Sequence, residues 1–391
     1  MKVTFYSNFL NHHQLPFCLA MDRLTGGQFT FVATMPVSHA RIKLGYHDMN
    51  KQYPFVLTTY DSPENQAAAM VLAQSSDVII TGSAPEVYTE SRIQKNKLTF
   101  RYSERIYKEG LHKAFRPRNI ASRLIHHTRF ANKPLYMLCA SAYTPFDYAL
   151  TGSYMRKTFK WGYFPEVKHY DVDALMNRKR KGKKVVILWV ARFLSWKHPE
   201  AAIEVAERLK KAGIEFEMQL IGNGELEANI KASIQEKGLS DCVHMLGAMS
   251  PEEVRDHMEA ANIFLFTSDF NEGWGAVLNE SMNSGCAVVA SHAIGSVPFL
   301  LEDGKNGFIY KNGDIDGLYN HVVKLIEQPE LREQMGSAAY QTLADQWNAD
   351  VAAERFLALA QALIDGKKAD LFKDGPCSRA KILKNGWYKN D

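Results

Sequence analysis

Two glutamates in the second half of the 391-residue sequence, Glu272 and Glu280, enclose a segment that contains Gly273 and Gly275. The glycines let a ligand approach the backbone closely, because they carry no side chain. A helix predicted to begin in this segment would present unpaired N–H groups and the positive end of its dipole, which suit phosphate. A bare carboxylate beside a phosphate would repel it. We therefore interpret the two glutamates as acceptors for hydroxyl groups on either side of a phosphate ligand.

Cations for the phosphates lie in a loop after another predicted strand. Arg192 and Lys197 follow residues 185–191, a continuous apolar run typical of a strand that is buried on both faces of a parallel sheet. The loop GNGE, with Gly222 and Gly224, follows a further strand and also permits close backbone approach. Loops after parallel strands meet at one edge of the sheet, so these segments can converge on one ligand.

A nucleotide sugar fits this pattern, with ribose hydroxyls at one end, hexose hydroxyls at the other and a diphosphate between them. Each feature has an ordinary explanation when it is taken alone. Arg192 and Lys197 can be surface charges, and the GNGE loop can be a plain turn. Trp274 can pack in the core rather than stack on a sugar. Their shared position after predicted strands makes the joint pattern specific for a nucleotide-sugar site.

The elements that must position these residues alternate between strand and helix along the chain. One predicted helix begins at a capping box formed by Ser250 and Glu253. The predicted strands are 2–7, 29–33, 55–59, 77–81 and 135–140 in the first half, and 185–191, 216–221, 242–246, 263–267 and 287–291 in the second. This alternation predicts an α/β protein with two Rossmann-like doubly wound domains that face a central cleft.

The predicted domains cover residues 1–170 on the acceptor side and residues 171–350 on the donor side. Residues 351–391 are predicted to form a crossing helix and a tail that pack back on the first domain. The tail from residue 366 onward has no assigned role.

The composition excludes several other classes of protein. Hydrophobic residues make up 46% and charged residues 23% of the chain, as in soluble globular proteins. The apolar runs are far shorter than the ~20 residues that span a bilayer, and the first residues lack the features of a signal peptide. The five cysteines are scattered, so we expect free thiols in a reducing cytoplasm. The sequence has no ATP-binding P-loop and no histidine spacing of a metal site, so no bound metal is predicted.

One window, residues 110–146, contains no acidic residue. Its lysines and arginines lie between residues 113 and 133. Such a block can face anionic lipid headgroups, nucleic acid or a phosphorylated acceptor, or it can be a solvated basic helix.

The region 185–310 resembles the donor-binding domain of the retaining glycosyltransferases of family 4, which have the GT-B fold and use nucleotide sugars. The Arg and Lys of that family are matched by Arg192 and Lys197, and its E-x7-E element is matched by Glu272 and Glu280. The runs ESMNSGCAVVAS and DGKNGFIY resemble the family's E-A-M-A-C-G-x-P-V-V-A and D-G-x-N-G-x-L elements.

The resemblance implies a role for each residue of the donor side. Arg192 and Lys197 would hold the diphosphate. Glu272 would hold the hydroxyls of the transferred sugar, and Glu280 those of the ribose. The backbone near Leu246 would meet the base. Because cations and helix amides would stabilise the departing diphosphate, we expect neither a cofactor nor an essential divalent metal.

The first half departs from the family pattern. The loop after the first strand, SNFLNHHQ, lacks the family's glycines, and the stretch LTFRYSERIY offers Glu104 where family members often have a histidine. His12 is a candidate to bring an imidazole to the acceptor side, or it is a solvated loop residue. Glu104 is a second candidate, or it pairs with Arg101 or Arg105.

We expect retaining transfer of a hexosyl unit from a nucleotide-diphosphate sugar, UDP-linked by default, to a hydroxyl of a saccharide or lipid-linked acceptor in cell-surface polysaccharide or glycan synthesis. Retention can proceed by same-face attack or through a covalent intermediate. The alternatives are a GT-B epimerase of nucleotide sugars and a non-catalytic nucleotide-sugar-binding module. The expected saccharide or lipid-linked acceptors, together with the basic window, predict a cytoplasmic protein. Its residues 113–133 are expected to contact the inner face of an anionic membrane. No nucleic-acid partner is expected.

Overall fold

The computed structural model describes residues 1–38 and 48–388. These residues form two compact units. The first comprises Met1–Glu166 and Trp347–Lys384, and the second comprises Val167–Gln346 and the segment from Asn385 onward.

The first unit is built on a parallel sheet of seven strands within the described residues, in the order β3-β2-β1-β4-β5-β6-β7. These strands are β1 (Val3–Ser7), β2 (Phe29–Ala33), β3 (Val56–Thr58), β4 (Val78–Thr81), β5 (Thr99–Ser103), β6 (Leu135–Cys139) and β7 (Thr158–Lys160). Its helices are α1 (Leu15–Leu24), α2 (Pro63–Ser75), α3 (Glu90–Gln94), α4 (Pro117–His126), α5 (Thr144–Ala149) and, near the end of the chain, α14 (Ala349–Ile364).

The second unit contains six parallel strands in the order β10-β9-β8-β11-β12-β13. They are β8 (Val185–Val190), β9 (Phe216–Ile221), β10 (Val243–Gly247), β11 (Ile263–Phe266), β12 (Ala287–Ser291) and β13 (Phe308–Tyr310). Its helices are α6 (Val172–Arg180), α7 (Pro199–Lys211), α8 (Glu227–Glu236), α9 (Pro251–Ala260), α10 (Val277–Asn283), α11 (Val297–Leu300), α12 (Ile315–Glu327) and α13 (Pro329–Asp345). The prediction of two Rossmann-like α/β domains is confirmed.

The sequence analysis did not predict three of the strands. In β5 the buried Arg101 interrupts the apolar pattern that marks a strand, and β7 and β13 have only three residues each. Such short edge or polar strands give a weak pattern because their hydrogen-bonded neighbours, rather than their own composition, stabilise them.

The helices of the second unit follow the rules read from the sequence. At the start of α9, the Glu253 amide donates to Ser250 Oγ at 3.3 Å, and the Ser250 amide donates to the Glu253 carboxylate at 2.9 Å. The predicted capping box is therefore confirmed. Each of the large apolar side chains that this unit buries contributes about 1.5–3 kcal/mol, and Trp189 and Phe193 are among the largest in this core.

Two buried cations tie elements together through backbone carbonyls. Arg92 of α3 donates to the carbonyls of Ala73 at 3.0 Å and Ser76 at 2.7 Å, at the end of α2. Lys179 of α6 donates to the carbonyls of Met258 and Ala261, at the end of α9. Cations satisfy the unpaired carbonyls at a helix C-terminus and interact favourably with its dipole.

Lys179 is buried although it lies in a strongly basic run. The run RKRKGKK, residues 178–184, has the composition of an exposed linker, but α6 extends through Arg180 and Lys179 is only 7% exposed. A lysine whose charge is matched by carbonyl acceptors is compatible with burial, and the run gives no local sign of such partners.

The last long helix, α14, belongs to the first unit and packs against α1. The ring of Phe356 lies 6.4 Å from that of Phe17 and 5.1 Å from that of Phe100, in edge-on geometry. Across residues 1–38 and 48–388, no helix combines the length and the apolar character needed to cross a bilayer.

Candidate functional site

The residues predicted for the donor side lie at the carboxyl edge of the second sheet, here called the donor edge. This edge contains the topological switch point of the sheet. The chain runs from β8 outward to β9 and β10, then returns to β11 on the other side of β8. The loops after β8 and β11 therefore diverge from adjacent strands. In open α/β sheets this is where ligands bind.

Lys197 and Glu272 meet at this switch point. Lys197 ends a short 3-10 turn after β8, Glu272 lies in the loop after β11, and the lysine ammonium forms an ion pair with the Glu272 carboxylate. The side chains are 12% and 11% exposed, and Ser268 Oγ donates to the same carboxylate at 3.0 Å. Opposite charges attract more strongly with little water around them, so this pair fixes both side chains.

Backbone contacts hold the two loops together beside the ion pair. Thr267 Oγ1 donates to the Lys197 carbonyl at 2.6 Å and accepts from Trp189 Nε1 at 2.8 Å. The Asp269 amide donates to the Trp196 carbonyl at 3.0 Å. The contacts between Lys197 and Glu272 thus belong to a rigid junction.

His198 adds a positive charge to this junction that the sequence analysis missed. Its backbone is left-handed, with a φ of 51°, and its ring contacts Glu200 at 2.7 Å and Asp269 at 3.4 Å. The hydrogen bond to Asp269 and, as the second largest cause, the hydrogen bond to Glu200 raise the pKa of His198 to about 9. The ring is therefore protonated at neutral pH. No spacing rule flagged this residue, because its carboxylate partner Asp269 comes from the other loop.

Arg192 lies in the same loop after β8, and its side chain is exposed. Within the described part of the chain it makes no side-chain hydrogen bond or ion pair. Its guanidinium is therefore available to an anion at this edge.

Gly222 and Gly224 pack directly against the loop that carries Arg192. A Cβ on Gly222 would lie 1.9 Å from the Ala191 carbonyl oxygen, and one on Gly224 would lie 2.6 Å from that of Phe193. Their φ angles of 137° and 153° also favour glycine. The close backbone approach predicted here is therefore realised against a neighbouring loop.

Leu246 lies beside this loop near the end of β10. The ladder between β9 and β10 shifts register between Met245 and Gly247, so Leu246 occupies an irregularity in the strand. The Gly222 amide donates to the Gly247 carbonyl at 2.8 Å. The structure thus brings Arg192, the glycine loop and Leu246 to one side of the switch point.

Gly273, Trp274 and Gly275 follow Glu272, and α10 begins at Val277. A Cβ on Gly275 would lie 2.4 Å from the ring of Phe266 and 3.2 Å from Glu272 Cγ. Gly273 and Trp274 are buried. Trp274 is fully buried and donates from Nε1 to Asn279 Oδ1 at 2.8 Å, so stacking of its ring on a sugar is wrong and the packing alternative is right. The type of residue suggested stacking, but an indole that finds both apolar cover and a hydrogen-bond acceptor is stable in a core.

Glu280 lies in α10, apart from the ion pair. Arg255 of α9 donates to its backbone carbonyl at 2.8 Å and to Asn283 Oδ1 at 2.6 Å, and thereby fixes α10. Burial raises the pKa of Glu280 to about 7 against the opposing charge of Arg255. In the part of the chain that the structure describes, no hydrogen bond or ion pair connects Glu280 with Lys197 or Glu272.

The candidates of the first unit lie at the carboxyl edge of its own sheet. The ring of His12 lies 3.7 Å from that of His13, which stacks parallel to Tyr163 at 5.6 Å. The Tyr163 hydroxyl donates to Glu104 at 2.6 Å. The structure thus links His12 to Glu104 through two residues that the sequence analysis did not select.

Glu104 pairs with neither of the arginines expected from the sequence. Lys108, four residues later in the sequence, donates to Glu104 at 2.5 Å. Arg105 lies 3.3 Å from the buried Asp147, and Arg101 lies 3.4 Å from Glu86. These arginines point into the unit because their partners come from other elements.

Among the residues described, no group of three or more histidine, cysteine, aspartate or glutamate side chains is arranged to hold a metal ion.

With this geometry established, known proteins provide a comparison. Residues 171–342 match the family Glycosyl transferases group 1. This part of the chain is therefore similar to group 1 glycosyltransferase domains, and it coincides with most of the second unit.

Two curated relatives align with part of the chain. The amylovoran biosynthesis glycosyltransferase AmsK of Erwinia amylovora is 36% identical over 144 residues, or 36% of this chain and 35% of AmsK. The alpha-D-kanosaminyltransferase of Streptomyces kanamyceticus is 28% identical over 178 residues, or 44% of this chain and 46% of that enzyme. The chain thus spans less than half the length of each of these relatives.

A solved structure extends the comparison to both units. The chain is similar to HepE of Anabaena, crystallised in complex with UDP, with a TM-score of 0.66 and 17% identity over 93% of this chain and 100% of that one. At this identity the likeness shows the fold, which is of the GT-B type.

The glycine loop provides a test of the packing at the donor edge. We expect Gly222→Ala to destabilise the protein by roughly 3 kcal/mol or more, because the added methyl group overlaps the Ala191 carbonyl. Gly213→Ala is the matched control, since Gly213 has a φ of 71° but open space around it, and it should cost about 1 kcal/mol. Chemical denaturation of both variants measures the difference, and equal losses would contradict the loop contact.

Glu280 provides a test by pH. The folded pKa of about 7 exceeds the ordinary 4.5, so the folded chain binds more protons between these values and its free energy of unfolding falls as pH rises through them. We expect Glu280→Gln to reduce the loss of stability between about pH 5 and about pH 8 by up to about 3 kcal/mol. Urea unfolding at both pH values measures this loss, with Glu236→Gln, exposed at the end of α8, as the control. The same pH dependence in wild type and Glu280→Gln would show that the carboxyl group is not perturbed.

Proposed function

We propose that this protein is a retaining glycosyltransferase of family 4. It transfers a hexosyl unit from a nucleotide-diphosphate sugar, UDP-linked by default, to a hydroxyl of a saccharide or lipid-linked acceptor. The observation that carries the proposal is the ion pair of Lys197 and Glu272 at the switch point of the second sheet, with an exposed Arg192 in the same loop.

The cations of the β8 loop would bind the diphosphate. The ammonium of Lys197 has three donors, so it can keep its bond to Glu272 while it donates to a phosphate oxygen. Arg192 offers a planar guanidinium that can bind a phosphate with two parallel hydrogen bonds. The protonated His198 pairs with Glu200 and with Asp269 of the loop after β11, and so helps to hold the two loops together.

Glu272 would accept hydrogen bonds from the hydroxyls of the transferred sugar. Its carboxylate is fixed by Lys197 and Ser268, so it needs little reorganisation when a sugar arrives. A preorganised carboxylate of this kind aligns the sugar with the acceptor. We place the ribose hydroxyls against Glu280 and the base near the irregular strand end at Leu246.

Departure of the nucleotide diphosphate leaves negative charge on its terminal oxygen. Lys197 and Arg192 would stabilise that charge as it develops, which is the effect that accelerates the reaction. Because these side chains already supply positive charge, the proposal includes no cofactor and no essential divalent metal.

The acceptor would bind at the carboxyl edge of the first sheet. There, His12 and Glu104 are linked through His13 and Tyr163, so aromatic rings lie beside hydrogen-bonding groups. Sugars are recognised by such combinations, because ring faces cover their C–H groups while polar groups bind their hydroxyls.

The comparisons support the class of substrate. AmsK is named for amylovoran biosynthesis, and HepE was crystallised with UDP. By analogy we propose a role in polysaccharide synthesis with a UDP-sugar as donor.

Replacement of the ion-pair residues tests the proposed reaction. We expect Lys197→Ala and Glu272→Ala each to lower turnover of the nucleotide sugar by about two to three orders of magnitude, because each removes a group that binds the reacting ligand. Release of UDP from a panel of UDP-sugars with added saccharide acceptors measures this turnover.

Lys211→Ala is the control for these variants, because Lys211 is an exposed lysine of α7 and should retain wild-type turnover. Circular dichroism should show that all three variants are folded. Wild-type turnover in Lys197→Ala or Glu272→Ala contradicts the assigned roles. Binding of a nucleotide sugar that is never consumed would instead indicate a non-catalytic module, and isomerisation without an acceptor would indicate an epimerase.

We also propose that the protein is cytoplasmic and contacts the inner face of an anionic membrane within residues 113–133. Helix α4 has no buried residue, and Leu124 and Ile125 are 46% and 50% exposed. Arg116 and Arg118 are exposed and have no side-chain partner in the described part of the chain. Exposed apolar side chains beside unpaired arginines suit the interface between headgroups and acyl chains.

Liposome co-sedimentation tests the membrane contact. We expect Arg116→Ala/Arg118→Ala to weaken binding to vesicles with anionic lipid at least tenfold, because each basic residue near the surface contributes about 1 kcal/mol. Added salt should weaken wild-type binding as well. Lys237→Ala, in the second unit, is the control. Binding that resists both salt and the double substitution would contradict the proposal.

A further inference from the structure

The segment 385–388, here called the tail segment, belongs to the second unit, although residues 347–384 before it belong to the first. The Tyr388 hydroxyl donates to the Ile309 carbonyl on β13. The sequence analysis assigned no role to this part of the chain. The structure places it on β13, which follows the loop between β11 and α10 in sequence. This loop, residues 267–276, is here called the donor loop.

His292, immediately after β12, is the main contact of the tail segment. Its Nδ1 accepts from the Asn312 amide at 2.9 Å, and its Nε2 donates to the Asn385 carbonyl at 3.2 Å. The side chain is 5% exposed, and burial lowers its pKa. With each nitrogen committed to one role, the neutral ring is held in a single orientation.

Aromatic contacts extend from the tail segment to the donor loop. The rings of Trp387 and Tyr388 lie 6.2 Å and 5.7 Å from that of His292. The ring of Phe270 contacts His292 edge-on, at 5.5 Å and 86°. Phe270 stands two residues before Glu272 in the loop after β11.

The donor loop therefore has two supports from different strands. On the β8 side, the Asp269 amide donates to the Trp196 carbonyl at 3.0 Å. On the β12 side, Phe270 packs on His292. These neighbouring residues fix the backbone that leads to Glu272, and small displacements of a reacting group are costly for catalysis.

We propose that the tail segment positions the donor loop: Trp387 and Tyr388 hold His292, and His292 holds Phe270 and the backbone of Glu272. Trp387, Tyr388 and His292 are positioning residues. The consequence for catalysis rests on the proposed function, whereas the effect on the loop does not.

The test compares Trp387→Ala/Tyr388→Ala with Ile382→Ala, a control at a 51% exposed apolar residue shortly before the tail segment. Hydrogen exchange of the unliganded protein is followed in peptides that cover residues 268–276. We expect exchange there to be about tenfold faster in the double variant and unchanged in the control. With a UDP-sugar that the wild type consumes, we expect kcat to fall about tenfold while KM changes less.

Tyr388→Phe keeps the ring and removes the hydroxyl, so it should retain slow exchange at residues 268–276. Trp387→Ala alone serves if the double variant does not fold. Unchanged exchange in the loop, or an unchanged kcat despite faster exchange, would overturn the proposal. Faster exchange in a protein whose wild type consumes no nucleotide sugar would support the positioning contact and reject the proposed function.

Discussion

The donor edge depends on one constraint: two loops that are remote in sequence must carry opposite charges to the same point. Lys197 and Glu272 are separated by 75 residues, yet their strands are adjacent because the chain reverses its direction across the sheet between β8 and β11. Removing two charges from water is costly, and the cost is offset only when the partners face each other with further hydrogen bonds. Ser268 and Thr267 supply such bonds to the carboxylate and to the lysine backbone. The ammonium of Lys197 is thus held in place by the protein itself.

The glycines of the donor edge allow its loops to pack closely against one another. Gly222 and Gly224 let the loop after β9 lie against the loop after β8, and Gly275 lets the chain after Glu272 pass Phe266. Residue type correctly indicated close approach at these positions. The approaching partner, however, is a neighbouring segment of the protein itself.

The first unit uses buried polar groups in a different way. Arg101 on β5 donates to the His126 carbonyl at 2.6 Å and contacts His127 Nδ1 at 2.7 Å, at the end of α4. Because these polar contacts, rather than an apolar face, attach the helix to the sheet, its apolar side chains Leu124 and Ile125 remain outside. An exposed apolar surface among arginines is therefore a consequence of how α4 is anchored.

The sequence by itself determined the architecture and most of the candidate donor residues. Strands 216–221 and 287–291 agree with β9 and β12 residue for residue, because the alternation of apolar residues in the first and the apolar run in the second report burial directly. Only the tertiary structure decided which polar and charged groups meet: His198 with Asp269, Glu104 with Tyr163, and Lys179 with the end of α9. It also decided that Trp274 is a core residue. The reason is physical: periodicity records whether a side chain leaves water, whereas the partner of a buried charge or indole is set by the strand order, which local sequence does not encode.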